Sequence, residues 1–479
     1  MLSTKNPVED PPNWEALQCA LDDLDFGTKI SFDRDALDRA GRDETEDLFF
    51  PPDAVVAPVD VREVSAIMRW ASAHQIPVTP AGARTGLSGG ALPVEGGLAL
   101  SLHRMNAIVE VDVENHQIRA QAGVVVHDLY QAAVERGLFY AVDPSSWGTC
   151  TIGGNIAENA GGPRAVKYGV TKDWVLDLQV VLPDGEIIQT GARTLKNSTG
   201  LNLTQLIVGS EGILAVVTEA TLKLRPLPTH RAVLLAAFPS ASAACACVAD
   251  IFQSGIEPSA LEFMEREAIL LTQAFTGSEA IDVPEGIEAH LLIEVDAFQS
   301  DDIFTQVEAM LPVLEAHDSR DPLFAQDAAT QEKLWFLRRR VGEAVKATSI
   351  YKEEDTVVPR ARLPELLTTV KCIGDSYGFR SVCYGHAGDG NLHVNILKDD
   401  MTDEDWEEKL PKAIRELFFA VVDLGGTLSG EHGIGWVQKG YMDIAFSPAS
   451  LGLMRGIKNV FDPQNILNPG KILPEADGP

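Results

Sequence analysis

The hydrophobic pattern changes at residue 54, where short apolar runs begin to alternate with helical periodicity. Residues 54–59, AVVAPV, form an apolar run that predicts a short strand. In residues 61–74 the apolar side chains recur at helical spacing, which predicts a helix. Residues 77–80, PVTP, predict the next short strand. The alternation predicts an α/β arrangement in this part of the chain.

A second alternating region follows Pro226 and Pro228. Residues 231–238, RAVLLAAF, predict a strand, residues 241–255 predict a helix of small side chains, and residues 288–297, EAHLLIEVDA, predict another strand. This pattern favours an antiparallel sheet with helices packed on one face. No apolar run approaches the roughly 18 residues that a membrane-spanning helix needs.

Glycine is concentrated in two stretches of the first half. Residues 80–90, PAGARTGLSGG, have the composition of a backbone nest for an anion such as pyrophosphate, although a simple turn cluster would have the same composition. The stretch is neither GxGxxG nor a Walker loop. Residues 143–169, DPSSWGTCTIGGNIAENAGGPRAVKYG, form a second such region. Together the two stretches indicate an extended ligand, and a dinucleotide fits that description.

Three of the ten histidines lie in two short glycine-rich segments, residues 384–396 and 429–435. Asp389-Gly390 favours a two-residue hairpin turn, which would pair residue 386 with 393 and bring His386 and His393 to about 5 Å between Cβ atoms. Glu431 and His432 could add an oxygen ligand and a further imidazole. Any one of these side chains could be merely packed or solvated, but the set indicates a metal or catalytic site.

The net charge of the chain restricts the kinds of molecule that it can bind. The 479-residue chain has a formal net charge of −31, which argues against nucleic acid as a partner. An anionic substrate would therefore need locally concentrated positive charge, and residues 332–347, EKLWFLRRRVGEAVKA, provide it. The six cysteines form no CxxC motif, and the amino terminus lacks the apolar segment of a signal peptide. We expect a cytoplasmic protein without a transmembrane segment, for which peripheral contact with the inner membrane is an option.

Six motifs closely resemble the FAD-linked 2-hydroxy-acid dehydrogenases of the vanillyl-alcohol-oxidase type. They are PAGARTGLSGG, DPSSWGTCTIGGNIAENAGG, GSEGILAVVTEATLKL, GHAGDGNLHVN, GGTLSGEHGIGWVQKGYM and NVFDPQNILNPGK. The resemblance extends from about residue 50 to 473. The family includes D-lactate dehydrogenase, the glycolate oxidase flavin subunit and D-2-hydroxyglutarate dehydrogenase. It implies an α+β fold with a two-subdomain FAD-binding domain (1–228), an antiparallel-sheet cap domain that contacts substrate (229–420) and a carboxy-terminal helical segment (421–479) that returns to the FAD domain.

The resemblance also implies where FAD binds. The attachment is expected to be non-covalent, because the 80–90 loop has neither His nor Cys. The implied cofactor-binding residues are Pro80, Gly82, Arg84, Thr85, Gly86, Ser88, Gly89, Gly90, Pro144, Ser145, Gly148, Thr149, Gly153, Gly154, Asn155, Ala157, Asn159, Glu211, Gly212, Ile213 and Asn468.

On the substrate side, the resemblance implies that Arg338 contacts the substrate carboxylate, while Arg339 and Arg340 suit a solvated helix face. Lys352 occupies the position where 2-hydroxyglutarate-type members carry a substrate-contacting lysine, although a surface loop would also explain it. Asn395, two residues beyond His393, is predicted on the same strand face and beside the substrate. Gly342 departs from the threonine of the 2-hydroxyglutarate-type members, which weakens that assignment.

These residues suggest a mechanism. His386, His393 and Glu431 would hold a divalent metal, zinc by ligand type, although manganese and iron accept the same ligands. His432 would act as general base, and hydride would pass from a D-2-hydroxy acid, of the D-lactate type, to flavin N5. Glycolate or D-2-hydroxyglutarate as substrate, a transferase like alkyl-dihydroxyacetonephosphate synthase, and an electron-relay subunit of a larger complex remain alternatives. A quinone, a cytochrome or an electron-transfer flavoprotein would accept the electrons, and a homodimer is compatible with the sequence.

Overall fold

A computed structural model of the chain describes residues 12–45 and 48–475. The regular elements form three sheets and a small two-stranded pair, with the helices packed around them. The first two sheets share one hydrophobic core, which includes Val64, Ile118, Leu178 and Leu467. The third sheet has its own cores on its two faces.

The first sheet contains four strands in the order β1-β2-β4-β3, and β4 runs parallel to both β2 and β3. Its elements are α1 (Trp14–Asp22), β1 (Ile30–Ser31), α2 (Arg34–Ala40), β2 (Ala54–Val56), α3 (Val61–His74), β3 (Val78–Ala81) and β4 (Leu98–Ser101). The predicted helix over residues 61–74 is confirmed. Its N-cap Asp60 accepts a hydrogen bond from the Arg62 N–H, which fixes where the helix begins.

The second sheet is antiparallel, with five strands in the order β5-β6-β10-β8-β9. The elements of this region are β5 (Ile108–Asp112), β6 (Gln117–Gln121), α4 (Val126–Val134), β7 (Leu138–Phe139), α5 (Ile152–Glu158), α6 (Ala165–Tyr168), β8 (Val175–Val181), β9 (Ile187–Gln189), α7 (Leu203–Ile207), β10 (Val216–Lys223) and β11 (Arg225–Pro226). Strands β7 and β11 form the separate pair.

The third sheet contains seven antiparallel strands in the order β15-β12-β14-β13-β17-β18-β16. Its strands are β12 (His230–Phe238), β13 (Ala260–Glu265), β14 (Ala289–Ala297), β15 (Arg320–Ala325), β16 (Tyr351–Val357), β17 (Arg380–Gly385) and β18 (Asn391–Leu397). The antiparallel sheet predicted for the second alternating region is confirmed.

Helices cover both faces of this sheet, so the prediction of helices on one face is wrong. Leu234 and Phe238 of β12 pack into one core, whereas Val233 and Leu235 of the same strand pack into the other. Continuous apolar strands are buried on both sides, which requires two covering layers. The helices are α8 (Ala241–Gln253), α9 (Arg266–Thr276), α10 (Ser300–Ala316), α11 (Ala328–Arg339), α12 (Val341–Lys346), α13 (Leu363–Tyr377) and α14 (Asp403–Asp423).

The carboxy-terminal segment returns to the first sheet. It contains α15 (Met442–Ala445) and α16 (Pro448–Phe461). Beyond α16, the Val78 N–H donates to the Ile466 carbonyl at 2.7 Å, and the Asn468 N–H donates to the Val78 carbonyl at 2.8 Å. The end of the described chain is therefore joined to β3.

The connection between β17 and β18 differs from the predicted two-residue hairpin. Residues Ala387–Asp389 form a 3₁₀ turn, and of the predicted turn pair Asp389-Gly390 only Gly390 has a positive φ, at 87°. A type I′ turn needs positive φ at both positions, so it cannot form here. His393 consequently lies opposite Tyr384 and not opposite His386, and the predicted register is wrong.

Over residues 12–45 and 48–475, the helices are all too short or too polar to cross a membrane.

Candidate active site

A cavity of about 340 Å³ lies where the glycine-rich loops of the first two sheets meet the third sheet. We call the glycine-rich side the cofactor wall; it consists of residues 80–91, 144–158 and 210–217. We call the opposite side the acid–histidine wall. It consists of Glu262, Arg338, Glu353, Asp355, Tyr384, His386, His393, Glu431 and His432, of which some line the cavity and the others support them.

Most residues predicted to bind the cofactor line this cavity. Those on the lining are Pro80, Gly82, Arg84, Thr85, Gly86, Gly90, Pro144, Ser145, Gly153, Gly154, Asn155, Ala157, Glu211 and Gly212. The remaining predicted residues lie behind or beside the lining and are Ser88, Gly89, Gly148, Thr149, Asn159, Ile213 and Asn468. Asn468 supports the wall, because its amide donates to the carbonyls of Gly90 at 3.0 Å and Glu211 at 2.8 Å.

The cofactor wall is made of closely approaching backbone. The Gly153 N–H donates to the Ala122 carbonyl at 2.7 Å, and a Cβ on Gly153 would lie 2.8 Å from the Ala122 methyl carbon. Gly82 is equally confined, because a Cβ there would collide with the Thr151 hydroxyl. Glycine is therefore required at both positions by contact with the neighbouring chain.

The cofactor wall carries polar atoms that lack partners. Within the described part of the chain, the Nη2 of Arg84, the hydroxyls of Ser88 and Thr151 and the Nδ2 of Asn155 are buried without a hydrogen bond. Burial lowers the pKa of Arg84 to about 10, so its guanidinium is still a cation at neutral pH. A buried cation and several unused polar groups fit the pyrophosphate and polar edges of a dinucleotide such as FAD.

The two predicted histidine ligands converge on one carboxylate oxygen. The Nε2 of His386 lies 3.2 Å from Oε1 of Glu431, and the Nε2 of His393 lies 3.7 Å from the same oxygen. The two imidazole centroids are 5.4 Å apart. The imidazoles are therefore close together although the predicted strand register is wrong, because Glu262 and Glu431 hold His386 from both sides.

Each of these imidazoles also faces an acid on its other nitrogen. The Nδ1 of His386 is hydrogen-bonded to both oxygens of Glu262 at 2.9 Å, and the Nδ1 of His393 lies 3.6 Å from Glu353 and 3.7 Å from Asp355. Carboxylates behind imidazoles are the usual partners of metal-bound histidines. Potential ligand atoms of His386, His393 and Glu431 all lie within 4.8 Å of one another, so this donor set fits a divalent cation.

A second group of ligand atoms shares His393. It consists of Glu353, His393 and His432, again within 4.8 Å of one another. His432 stacks on His393, with 5.2 Å between the ring centroids. His432 therefore lies beside the predicted metal ligands and on the cavity lining, where a base would meet a bound substrate.

Asp355 organises the loop that carries Glu431 and His432. Its Oδ2 accepts hydrogen bonds from the N–H groups of Gly430, Glu431 and His432 at 2.7–2.9 Å and from the Ser429 hydroxyl at 2.8 Å. Although burial opposes ionisation, the nearby His432 and these N–H groups hold the pKa of Asp355 below its usual range. This carboxylate therefore fixes the loop from one point.

The pKa values of the three histidines in the acid–histidine wall are shifted in different directions. Burial alone would lower the pKa of His432, but Asp355 and Glu353 raise it above 6.5. For His386, Glu262 and Glu431 outweigh burial and raise the pKa well above its usual value. Burial lowers the pKa of His393 to about 4, while His386 lowers that of Glu431 to about 2 against the effect of burial. Without a bound cation, protonation is therefore favoured at His386 and His432, whereas His393 is neutral.

The predicted substrate-binding residues are placed differently from one another. Arg338 is buried, lines the cavity, and forms an ion pair with Glu262 at 2.5 Å; its Nε has no hydrogen-bond partner in the described chain. Asn395 is fully buried in β18, outside the lining. Lys352 lines a small neighbouring cleft, because alternation along β16 directs Glu353 and not Lys352 into the cavity.

Glu262, Glu353, Asp355 and Tyr384 were missed from the sequence. Glu262 is isolated between Leu261 and Phe263 in the buried strand β13, and a buried carboxylate between apolar residues usually has a function. That isolation was the available signal. Glu353 and Asp355 gave none, because their neighbours Lys352 and Glu354 make the stretch resemble a charged surface loop.

Two family models match the chain. Residues 52–191 match the "FAD binding domain", and residues 227–472 match the model described as "FAD linked oxidases, C-terminal domain". The two matches fall on the two sides of the cavity.

Curated relatives are similar over most of the chain. "Glycolate oxidase subunit GlcD" of Bacillus subtilis is 40% identical, with 88% of this chain and 89% of that protein covered. A "D-lactate dehydrogenase" of Anaerostipes hadrus is 39% identical, with 88% and 89% covered. A "D-2-hydroxyglutarate dehydrogenase" of Xanthomonas citri is 38% identical, with 92% and 94% covered.

Solved structures share the fold at low identity. p-Cresol methylhydroxylase with substrate bound superposes with a TM-score of 0.79 at 16% identity, covering 97% of each chain. Alkyldihydroxyacetonephosphate synthase superposes with a TM-score of 0.73 at 19% identity, covering 97% of this chain and 86% of that one. The predicted vanillyl-alcohol-oxidase-type α+β fold is confirmed.

Proposed function

Because the chain belongs to the FAD-linked oxidases and is an FAD-dependent oxidoreductase of the 2-hydroxy-acid dehydrogenase family, we propose that it oxidises a D-2-hydroxy acid of the D-lactate type. The product is the 2-oxo acid, and the hydride acceptor is non-covalently bound FAD. A divalent cation, zinc by ligand type, assists the reaction.

One observation supports this proposal above the others. Arg338, His393, Glu431 and His432 all line the same cavity as the glycine-rich cofactor wall. A cation that suits a carboxylate, two of the proposed metal ligands and the proposed imidazole base therefore lie together opposite the cofactor wall. A 2-hydroxy acid presents the matching groups, a carboxylate and a neighbouring hydroxyl.

Different residues of the chain would hold the cation and orient the substrate. When bound, FAD supplies the hydride acceptor and a divalent cation supplies positive charge that lowers the pKa of a hydroxyl group. His386, His393 and Glu431 would hold that cation through Nε2, Nε2 and the carboxylate. Arg338 uses its unpaired Nε and guanidinium charge to orient the substrate carboxylate. Asn395 is buried in β18 behind the lining of the cavity.

His432 removes the hydroxyl proton of the substrate. Its backbone is fixed by the bond from its N–H to Asp355 at 2.9 Å, which also places a negative charge near the imidazole. That charge stabilises the imidazolium formed when the proton arrives. His432 is half-buried, which limits the contact of this transfer with bulk water.

The electrons leave to an external acceptor, namely a quinone, a cytochrome or an electron-transfer flavoprotein. This proposal agrees with the name of one relative, a glycolate oxidase subunit, which implies partner chains for that protein. A cytoplasmic location, with peripheral contact to the inner membrane, and a homodimer stay predictions.

A stopped-flow screen of D- and L-2-hydroxy acids against the purified, anaerobic holoprotein tests the proposal. Bleaching of the oxidised flavin absorbance by D-lactate, with little effect of L-lactate, is the expected result. Selective bleaching by glycolate or D-2-hydroxyglutarate would replace the substrate assignment. Failure of all these acids to bleach the flavin would instead favour an electron-relay subunit.

A further inference from the structure

Glu353 is a carboxylate on the cavity lining that the proposed mechanism does not use. We propose that Glu353 is a charge filter that excludes 2-hydroxy dicarboxylates and restricts the substrate to 2-hydroxy monocarboxylates with an uncharged side chain. The inference rests on the proposed function and names the substrate class more narrowly.

The position of Glu353 is fixed by neighbours on the acid–histidine wall. Its side chain is only 12% exposed, and its Oε1 accepts a hydrogen bond from the Tyr384 hydroxyl at 3.2 Å. Tyr384 in turn lies beneath Arg338, whose guanidinium carbon is 5.2 Å from the ring centroid. Tyr384 therefore contacts both this carboxylate and the cation that would hold the substrate.

Gly342 leaves room for this arrangement. It lies inside α12, where glycine costs about 1 kcal/mol relative to alanine. A Cβ at this position would come within 3.1 Å of the Tyr384 hydroxyl. Replacing the glycine would crowd the hydroxyl that donates to Glu353, so the unfavourable residue is explained by the Tyr384–Glu353 contact.

Glu353 faces a different edge of His393 from the predicted metal ligands. Its oxygen lies 3.6 Å from Nδ1 of His393, whereas Nε2 of that ring faces Glu431. The Nδ1 edge that faces Glu353 is therefore not the edge that would hold a cation together with His386 and Glu431. The charge of Glu353 would remain available to act on the substrate side of the cavity.

The two arginines that α11 places on the lining have carboxylate partners already. Arg338 is paired with Glu262, and Arg339 is paired with Glu332. Lys346 also lines the cavity, with its Nζ 5.6 Å from the Tyr351 ring centroid, and is the cation that could compete for a second carboxylate. The test must therefore distinguish the effect of Glu353 on substrate preference from that of Lys346.

A distal carboxylate would place a second negative charge in the same poorly solvated space as Glu353. Like charges at such separations in a protein oppose binding strongly. A side chain without charge avoids that cost. The expected substrates are therefore D-lactate and its neutral homologues, while D-2-hydroxyglutarate is expected to be excluded.

The experiment compares two substrates of equal carbon number, D-2-hydroxyvalerate and D-2-hydroxyglutarate, which differ in the distal carboxylate. Anaerobic flavin reduction by wild type is expected to be at least about tenfold more efficient with D-2-hydroxyvalerate. Glu353→Gln should shrink this ratio about tenfold, and Glu353→Lys should shrink it further. FAD and metal content are measured for each variant, because Glu353 also contacts His393.

Glu343→Gln is the matched control. Glu343 lines the cavity too, but it is half exposed and already paired with Arg340 at 2.5 Å, so its removal should leave the ratio unchanged. A wild type that prefers D-2-hydroxyglutarate and loses this preference in Lys346→Gln would overturn the inference. An unchanged ratio in Glu353→Gln would overturn it as well.

Binding of the 2-oxo acids separates this inference from the proposed function. Perturbation of the flavin spectrum by 2-oxovalerate and 2-oxoglutarate reports affinity without turnover. If no hydroxy acid bleaches the flavin, the proposed function fails, yet preferential binding of 2-oxovalerate that is lost in Glu353→Gln would still support the filter. Equal binding of the two oxo acids by wild type would contradict it.

Discussion

The two walls of the cavity are built on opposite principles. The cofactor wall presents backbone, small residues and a few unpaired donors such as Arg84 Nη2. The acid–histidine wall presents a dense set of ionisable side chains that are paired with one another, as His386 is with Glu262 and Glu431. The first wall is suited to hold a large rigid ligand by shape, and the second to bind and deprotonate a small one.

Because the two walls differ in this way, we expect substitutions in one wall to leave the role of the other intact. A change in the cofactor wall should weaken FAD binding, because close backbone contact is lost. A change in the acid–histidine wall should leave FAD bound and impair substrate binding or proton transfer.

Replacing the proposed base is expected to have the largest effect. His432→Ala should reduce the rate of flavin reduction by D-lactate about 1,000-fold, because general-base assistance of this order is lost. The FAD content should stay at the wild-type level. Stopped-flow absorbance and the flavin-to-protein ratio measure both.

His230→Ala, at an exposed histidine of β12, is the control. A His432→Ala protein that is reduced at the wild-type rate would remove His432 from the base role. Loss of FAD together with activity would mean that the two walls are not independent.

Replacing Arg338, the proposed binding partner of the substrate carboxylate, is expected to have the next largest effect. Arg338→Gln should weaken D-lactate binding about 30-fold, since a charge-assisted hydrogen bond is lost and Glu262 loses its ion-pair partner. The concentration dependence of flavin reduction gives the apparent Kd. Arg340→Gln is the control, because the Arg340 side chain is half exposed and pairs with Glu343. Equal affinities in the two variants would contradict the role of Arg338.

A change in the cofactor wall should give the reverse pattern. Gly153→Ala would place a methyl group 2.8 Å from the Ala122 methyl carbon, so FAD affinity should fall about tenfold. The FAD that remains bound should still be reduced by D-lactate. Fluorescence titration of apoprotein with FAD measures the affinity. Gly456→Ala in α16, where a Cβ meets nothing within 4 Å, is the control, and equal FAD affinity in both variants would refute close packing at Gly153.

A smaller effect is expected from Glu158, an acid of the cofactor wall. Burial and then Glu211 raise the pKa of Glu158 well above 4.5, and Glu158 Oε2 has no hydrogen-bond partner in the described chain. The unfolded chain releases this proton near pH 4.5 and the folded chain at higher pH. Wild-type stability from this group is therefore complete below pH 4.5 and is lost as pH rises toward the folded pKa.

Glu158→Gln cannot ionise and should escape that loss. Its free energy of unfolding should exceed the wild-type value by about 1 kcal/mol or more at pH 8 and by much less at pH 5. Denaturant titrations at equal FAD saturation measure this. A stability difference that does not change between the two pH values would contradict a raised pKa at Glu158.

The sequence was a better guide to the cofactor wall than to the acid–histidine wall. Glycine-rich loops depend on local backbone conformation, so a motif such as residues 80–90 reveals them directly. The acid–histidine wall depends on which strands lie side by side. Glu262 comes from β13 and Glu353 from β16, which pack near His386 and His393 only through the order of a seven-stranded sheet.

The predicted histidine pair illustrates the limit of local reasoning. The Asp389-Gly390 dipeptide suggested a two-residue turn, but a 3₁₀ turn moved the register so that Tyr384 faces His393. The imidazoles nevertheless meet, because Glu262 and Glu431 hold His386 from both sides. Similarly, a motif position suggested Lys352, while strand alternation puts Glu353 in the cavity.

The decisive measurement is the anaerobic reduction of flavin by D-lactate in metal-free and metal-restored protein of equal FAD content. We expect the metal-free protein to be reduced at least about 100-fold more slowly. Addition of zinc should restore the wild-type rate when about one ion is bound per chain, and Glu431→Gln should bind less zinc. Equal rates in the metal-free and metal-restored protein would contradict a metal-assisted acid–histidine wall.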